Sequence, residues 1–275
     1  MKFKLECLLA PMIAISLLLA LINAGTCLQV TGIIVEGDYP PGGHISHQLF
    51  VNSDKNESPM DLRVDAFDVA QSTEGIAQAI ERNSEAEAYS AKSYFKMSPS
   101  SFHLNPGESA TVQVDGDIPN DAAPGGKYAI IQVHSMPQNS SDIKKSGVSI
   151  LSAINTLVRI TITGGTLQET GEISNMKIEA ENSDQLNLNM SFKNMGNIHY
   201  HVIADVFLKN AEGTVLGNMS QASGSNIFPT ATRIFKLSLK PNEKLAPGKY
   251  TISSTVSLED GTVLASKDKE FEIKN

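Results

Sequence analysis

Ala123-Pro124-Gly125-Gly126-Lys127-Tyr128 runs directly into Ala129-Ile130-Ile131-Gln132-Val133, and Ala246-Pro247-Gly248-Lys249-Tyr250 runs into Thr251-Ile252-Ser253-Ser254-Thr255-Val256. Upstream of each lies a Pro-led turn and an alternating strand: Asn105-Pro106-Gly107-Glu108 before Ala110 to Val114, and Phe228-Pro229-Thr230 before Arg233 to Leu239. Proline presets the turn backbone and glycine supplies the conformations that other residues avoid. The same turn-and-strand phrase is thus written twice, and the separation is that of a whole domain. The chain reads as two copies of one β-sandwich.

Working outward, the N-terminal copy starts near Leu28, with Val30, Ile33, Ile34 and Val35 as core candidates. Ile45 to Val51 and Met60 to Val69 follow as strands with apolar residues at period two. Ala70 to Lys92 breaks that pattern; it is polar, with Ile76 to Arg82 as a helix-like piece. A connection of this length inside a compact domain is usually functional or disordered. After a Ser/Asn-rich loop, Ser135 to Ser146, the segment Val148 to Thr163 closes the domain and Gly164-Gly165 ends it. The C-terminal copy has candidate strands at Ile173 to Ala180, Leu186 to Lys193, His199 to Leu208, Val215 to Met219, Ile234 to Leu239, Lys249 to Val256 and Val263 to Ile273. Many short strands between regularly spaced turns imply stacked antiparallel sheets. The expected fold is therefore all-β: two tandem immunoglobulin-like sandwiches over residues 28–165 and 166–275, after an N-terminal segment, residues 1–26.

That segment carries Lys2 and Lys4, then the uncharged run Leu8 to Ile22, then Asn23-Ala24-Gly25-Thr26. The apolar run is shorter than the roughly 20 residues of a membrane span, so it reads as a secretory signal or, if uncleaved, an N-terminal anchor. Either way the body is expected outside the cytoplasm, extracellular or at the cell surface. Membrane association is expected only through this segment, or through a lipid on Cys27, for which Ala24-Gly25-Thr26 is a poor modification site. With Cys7 inside the signal, the body holds at most one cysteine and no internal disulfide. There is no Trp either, so Val, Ile, Leu and Phe must fill the cores.

The net charge of −8, with no basic cluster larger than Lys144-Lys145, argues against nucleic acid as a partner. Asn56, Asn139, Asn189 and Asn218 each open an Asn-x-Ser sequon and are candidate glycosylation sites. His199 and His201 flank Tyr200, so on a strand they share a face, but no Cys, Asp or Glu completes a ligand set locally. Asp115, Asp117 and Asp121 lack the spacing of a calcium loop, and Asp65 and Asp68 point to opposite faces of a strand. No nucleophile elbow, zinc-protease helix or phosphate loop occurs. No enzyme activity, metal or cofactor is expected. Tyr128 and Tyr250 are expected to cap their sandwiches, each hydroxyl bonding a nearby backbone group.

The run Pro99-Ser100-Ser101-Phe102-His103-Leu104-Asn105-Pro106-Gly107-Glu108, then Val112, Val114, Pro119 and Gly126-Lys127-Tyr128, resembles the first domain of WxL-interacting proteins of bacterial cell surfaces. Leu49-Phe50-Val51-Asn52-Ser53 and Gly147 to Thr163 extend the match. Phe192-Lys193-Asn194-Met195-Gly196-Asn197 and Gly248-Lys249-Tyr250 look like the second domain of that family. The resemblance implies a non-enzymatic adaptor whose first domain docks on an envelope polymer and whose second holds a surface protein. The family's apolar C-terminal span and basic tail have no counterpart before Asn275, so anchoring by that route is not expected. More distantly, the first domain is similar to periplasmic pilus chaperones, which implies an alternative: an assembly factor that pairs a partner strand along a sheet edge. That alternative needs a paired Arg and Lys in the interdomain cleft, and nothing singles out such a pair among Arg63, Arg82, Arg159 and Arg233. An unpaired, uncharged edge strand favours the assembly factor; a closed edge with a conspicuous surface patch favours the adaptor. Ala70 to Lys92 and Ser135 to Ser146 are the loops where contacts are expected.

Overall fold

The computed structural model describes residues 28–136, 151–182 and 184–274. The segment 1–26, Cys27, Asn139 and most of the Ser135 to Ser146 loop lie outside them. In chain order the strands are β1 (Gln29–Thr31), β2 (Ile34–Tyr39), β3 (His44–Asn52), β4 (Met60–Gln71), β5 (Ala77–Ile80), β6 (Phe95–Ser98), β7 (Ser101–Leu104), β8 (Ser109–Asp117), β9 (Gly125–Ser135) and β10 (Ala153–Ile162). Then come β11 (Gly171–Asn182), β12 (Gln185–Asn194), β13 (Ile203–Asn210), β14 (Val215–Ala222), β15 (Thr232–Leu239), β16 (Gly248–Ser257) and β17 (Val263–Ile273).

The N-terminal sandwich stacks the sheet β1-β3-β8-β6 on the sheet β2-β10-β9-β4-β5, with β7 also paired to β4. Alternation decides which side chains face inward: Ile45, Leu49 and Val51 of β3 meet Val112 and Val114 of β8, Ile131 and Val133 of β9, and Val158 and Ile160 of β10 in one core. The C-terminal sandwich stacks β11-β12-β15 on β14-β13-β16-β17, with Leu188, Met190 and Phe192 of β12 packed among Val206, Phe235 and Ile252. The all-β, two-sandwich expectation holds, with one departure: β10 pairs β2 in parallel, Leu157 opposite Ile34 through Ile162 opposite Tyr39. The first strand leaves one sheet for the other at Gly32, whose φ of 82° and 2.5 Å approach of a would-be Cβ to the Gln48 carbonyl oxygen admit only glycine.

Three local expectations are corrected. The helix-like piece Ile76 to Arg82 is mostly the strand β5, paired with the end of β4 from Gln71 opposite Ala77 to Asp68 opposite Ile80. Two 3-10 turns, Glu87–Tyr89 and Lys92–Tyr94, complete the connection to β6. Docking against a neighbouring strand has overridden a weak helical period. His199 and His201 precede β13 rather than lying in it. Ile33 and Ile34 are exposed, at 44% and 55%, while Val35 is buried. Successive strand residues face opposite ways, so the run Ile33-Ile34-Val35 cannot all turn inward.

Candidate functional site

The exposed isoleucines sit at a strand edge with hydrogen-bonding capacity to spare. β10 pairs β9 along its whole length, Ala153 opposite His134 through Ile162 opposite Gly125, but pairs β2 only from Leu157 onward. Among the described residues, Ala153 to Thr156 therefore has a partner on one side only. The direction of its free groups follows from its neighbours. Leu157 N–H donates to Ile33 O at 3.0 Å, on the β2 side, and Ser135 N–H donates to Ser152 O at 2.9 Å, on the β9 side. Alternation then turns the N–H and C=O of Ala153 and Asn155 outward. No charged residue lies in Leu151-Ser152-Ala153-Ile154-Asn155-Thr156, so the usual guard against edge-to-edge pairing is missing. Exposed apolar side chains flank the segment at both ends: Met136 and Leu151 at its start, Ile33 and Ile34 at its close.

Other edges differ. β17 carries Lys267, Asp268, Lys269, Glu270 and Glu272. β14 is uncharged, and its exposed side chains are Val215, Asn218, Ser220, Gln221 and Ala222, mostly polar. From the β10 edge an apolar row crosses the outer face of the sheet in register, Ile34 to Leu157 to Ile130 to Phe67. It runs into a third cluster between the sandwiches, formed by Val69, Tyr128, Ile130 and Phe228.

That cluster is the centre of a built junction. Tyr128 stacks on Phe228 with ring centroids 4.4 Å apart and shares a 2.9 Å hydrogen bond with His199 Nδ1. Gly126 N–H donates to Asn197 O at 2.7 Å, and a Cβ at Gly125 would come within 2.5 Å of the same oxygen. Gln71 reads the C-terminal backbone twice, donating to Asn226 O at 2.8 Å and accepting from Phe228 N–H at 3.1 Å. Ile234 N–H donates to Thr73 O at 3.0 Å, so the β4–β5 hairpin caps an edge of β15. Buried Arg233 donates to Ser223 O and, at 3.0 Å, to Ser225 Oγ, and Ser225 Oγ in turn donates to Gly75 O. The Ala70 to Lys92 connection is thus spent largely on holding the C-terminal sandwich.

Burial sets the charge states here. It pushes the His199 ring down to about 4, helped by Arg159 and His201 and opposed by Asp38. It raises the Tyr128 phenol well above its usual range, so the hydroxyl keeps its proton. The Lys127 ammonium, buried and donating to Ala88 O, is also lowered by burial. On the outer sheet face burial would raise the Asp65 carboxyl, but hydrogen bonds from His134 and Arg63 outweigh it and hold it below the ordinary value.

The residues singled out from sequence are dispersed. Tyr250 does donate to the backbone, to Ala246 O at 2.6 Å; Tyr128 does not, and binds the other sandwich instead. Asp115 and Asp117 face His44, with Asp117 Oδ1 2.9 Å from its Nδ1. No group of three or more His, Cys, Asp or Glu able to hold a metal occurs among the described residues. Among the described residues, Arg159 pairs with Glu36 and Arg233 is buried. Asn56 and Asn218 are exposed and Asn189 is partly buried on β12. No helix of the described residues is long and apolar enough to cross a membrane.

No family model matches the chain, so the resemblance to WxL-interacting proteins is not shown. No curated protein matches it either. Among solved structures it is similar to a chain from a chaperone–tip adhesin complex of CFA/I fimbriae, with 12% identity, TM-score 0.45, and 89% of this chain and 98% of that one covered. It is also similar to the class 5 fimbriae chaperone CfaA, with 10% identity, TM-score 0.42, and 90% and 100% covered. The Escherichia coli chaperone DraB matches with 13% identity, TM-score 0.35, and 91% and 98% covered. At such scores these likenesses carry no argument, and the functional reading rests on the geometry.

Proposed function

We propose that the protein is a non-enzymatic, exported assembly factor or chaperone that takes an extended segment of a surface protein along the free edge of β10. The observation that carries this reading is that Ala153 to Thr156, among the described residues, is paired on one side only, uncharged and flanked by exposed Met136, Leu151, Ile33 and Ile34. A partner strand there gains main-chain hydrogen bonds from Ala153 and Asn155, and its alternate side chains cover the exposed apolar ones. The junction holds the second sandwich firmly on the first, through Tyr128, Phe228 and Gln71, so that it can hold another part of the partner. This edge is what favours strand pairing over docking on an envelope polymer.

Asn155→Pro tests it. Proline is tolerated on an edge whose N–H faces solvent, and the Asn155 N–H is not used by the β9 ladder. The variant should melt within a few degrees of the parent but lose capture of surface proteins from the host's secreted fraction, where the parent retains a discrete one. Undiminished capture by the folded variant, or retention of the parent on insoluble envelope polymer alone, refutes the reading.

A further inference from the structure

Between the sandwiches, beside the stacked rings of Tyr128 and Phe228, lies a cavity of about 240 Å³ whose wall includes Asp68, Glu85, Tyr89 and Ser90. This is below the roughly 300–1,000 Å³ of sites for drug-sized ligands, and suits a single functional group on a short stem. Asp68 is 8% exposed. Its carboxylate accepts from Ser90 Oγ at 2.5 Å and from Asn83 N–H at 3.2 Å. Among the described residues no Lys, Arg or His comes within ion-pair distance of it. The nearby amines are engaged elsewhere: Lys127 Nζ donates to Ala88 O, and Lys92 Nζ to Glu81 O at 2.9 Å. A buried carboxylate with hydrogen bonds but no counter-charge is costly, and a cation arriving in the cavity relieves that cost. Every ionisable acid or base on the wall other than tyrosine is acidic, and the wall includes three aromatic residues, Tyr89, Tyr128 and Phe228, a residue type that attracts cations. Val69 and Ala231 supply apolar surface for a methylene stem.

We infer that this cavity binds an alkylammonium group, its charge set against Asp68 and its stem among Tyr89, Tyr128 and Phe228. The group can arrive as a lysine side chain of a bound protein or as a free small amine; the inference does not depend on the strand-pairing reading.

Calorimetric titration at neutral pH and low salt tests it with four probes: n-butylamine, Nα-acetyl-lysine N-methylamide, n-butanol and butyrate. At least one of the two amines should saturate the protein, with n-butanol ten-fold weaker or more and butyrate silent. Binding of acetyl-lysine methylamide alone assigns a peptide-borne lysine; binding of butylamine alone assigns a free amine; binding of both shows that the ammonium group suffices. Asp68→Asn should weaken the amine ten-fold or more. If that variant does not fold, Tyr89→Leu decides: the amine should weaken three-fold or more while n-butanol is unchanged. Failure of both amines, equal binding of n-butanol and butylamine, or folded Asp68→Asn or Tyr89→Leu with parental amine affinity each overturns the inference. Strand capture through β10 is measured on the same samples, so the two readings fail separately.

Discussion

His199 makes the interdomain junction sensitive to acid, and the sign and size of the effect can be worked out. Its ring meets Tyr128 edge-on, with centroids 5.7 Å apart, shares the 2.9 Å hydrogen bond with the phenol, and packs near Phe228 at 6.4 Å. Burial first, then the positive charges of Arg159 and His201, hold its pKa at about 4 in the folded protein against 6.5 for the free side chain. As pH falls, the unfolded chain takes up this proton near 6.5 and the folded one only near 4. Between those values the unfolded state binds more protons, so stability drops as pH is lowered through the window and levels off below it. At about 1.4 kcal/mol per pH unit, the loss is at most about 3–4 kcal/mol, less whatever solvent reaching the ring screens. His199→Gln removes the titration and keeps an acceptor for Tyr128. Urea unfolding of both proteins at about pH 7, 5.5 and 4 isolates the residue, because Asp65 and the other carboxylates act in both. The parent should lose about 2–3 kcal/mol more than the variant across the window. Parallel losses, within about 0.5 kcal/mol, would refute the argument that this half-buried imidazole resists protonation.

Phe228→Ala removes the ring that fills the junction and stacks on Tyr128, and should cost about 3–5 kcal/mol in denaturant unfolding, with a larger radius of gyration by X-ray scattering as the sandwiches loosen. The Thr156 hydroxyl is fully buried without a hydrogen-bond partner among the described residues, so the near-isosteric Thr156→Val should raise stability by about 1 kcal/mol; a loss instead would mean that the hydroxyl is satisfied. Tyr250→Phe deletes the bond to Ala246 O and should cost about 1 kcal/mol, read as a lower urea midpoint with unchanged slope.

The motif that announced the fold means different things in its two places. Tyr250 donates within its own sandwich, to a carbonyl four residues back, and that role follows from local spacing. Tyr128 has the same neighbours in sequence, yet its hydroxyl goes to His199, 71 residues away. Gly125 is required because Asn197 O comes so close, whereas a Cβ on Gly248 would meet nothing. Only the packing of one sandwich on the other separates the two. The free edge was half legible. The uncharged run Leu151 to Thr156 is plain in the chain, and Ile33-Ile34-Val35 carried the warning that three successive strand residues cannot share a face. That β2 joins β10 only from Leu157 onward was not readable, because register is fixed by partners distant in sequence.

By itself, the sequence determined what periodicity and turn chemistry can: two all-β units, the inward faces of most strands, the turns, and cores built without tryptophan or disulfides. The tertiary structure decided which strand ends remain unpaired, that the β4–β5 hairpin serves as a clamp, and that His199, Tyr128, Phe228 and Asp68 gather between the sandwiches. Alternation is a local property that any stretch of strand declares. Pairing, docking and burial of charge depend on residues that meet only after the chain has folded, and those meetings created the candidate sites.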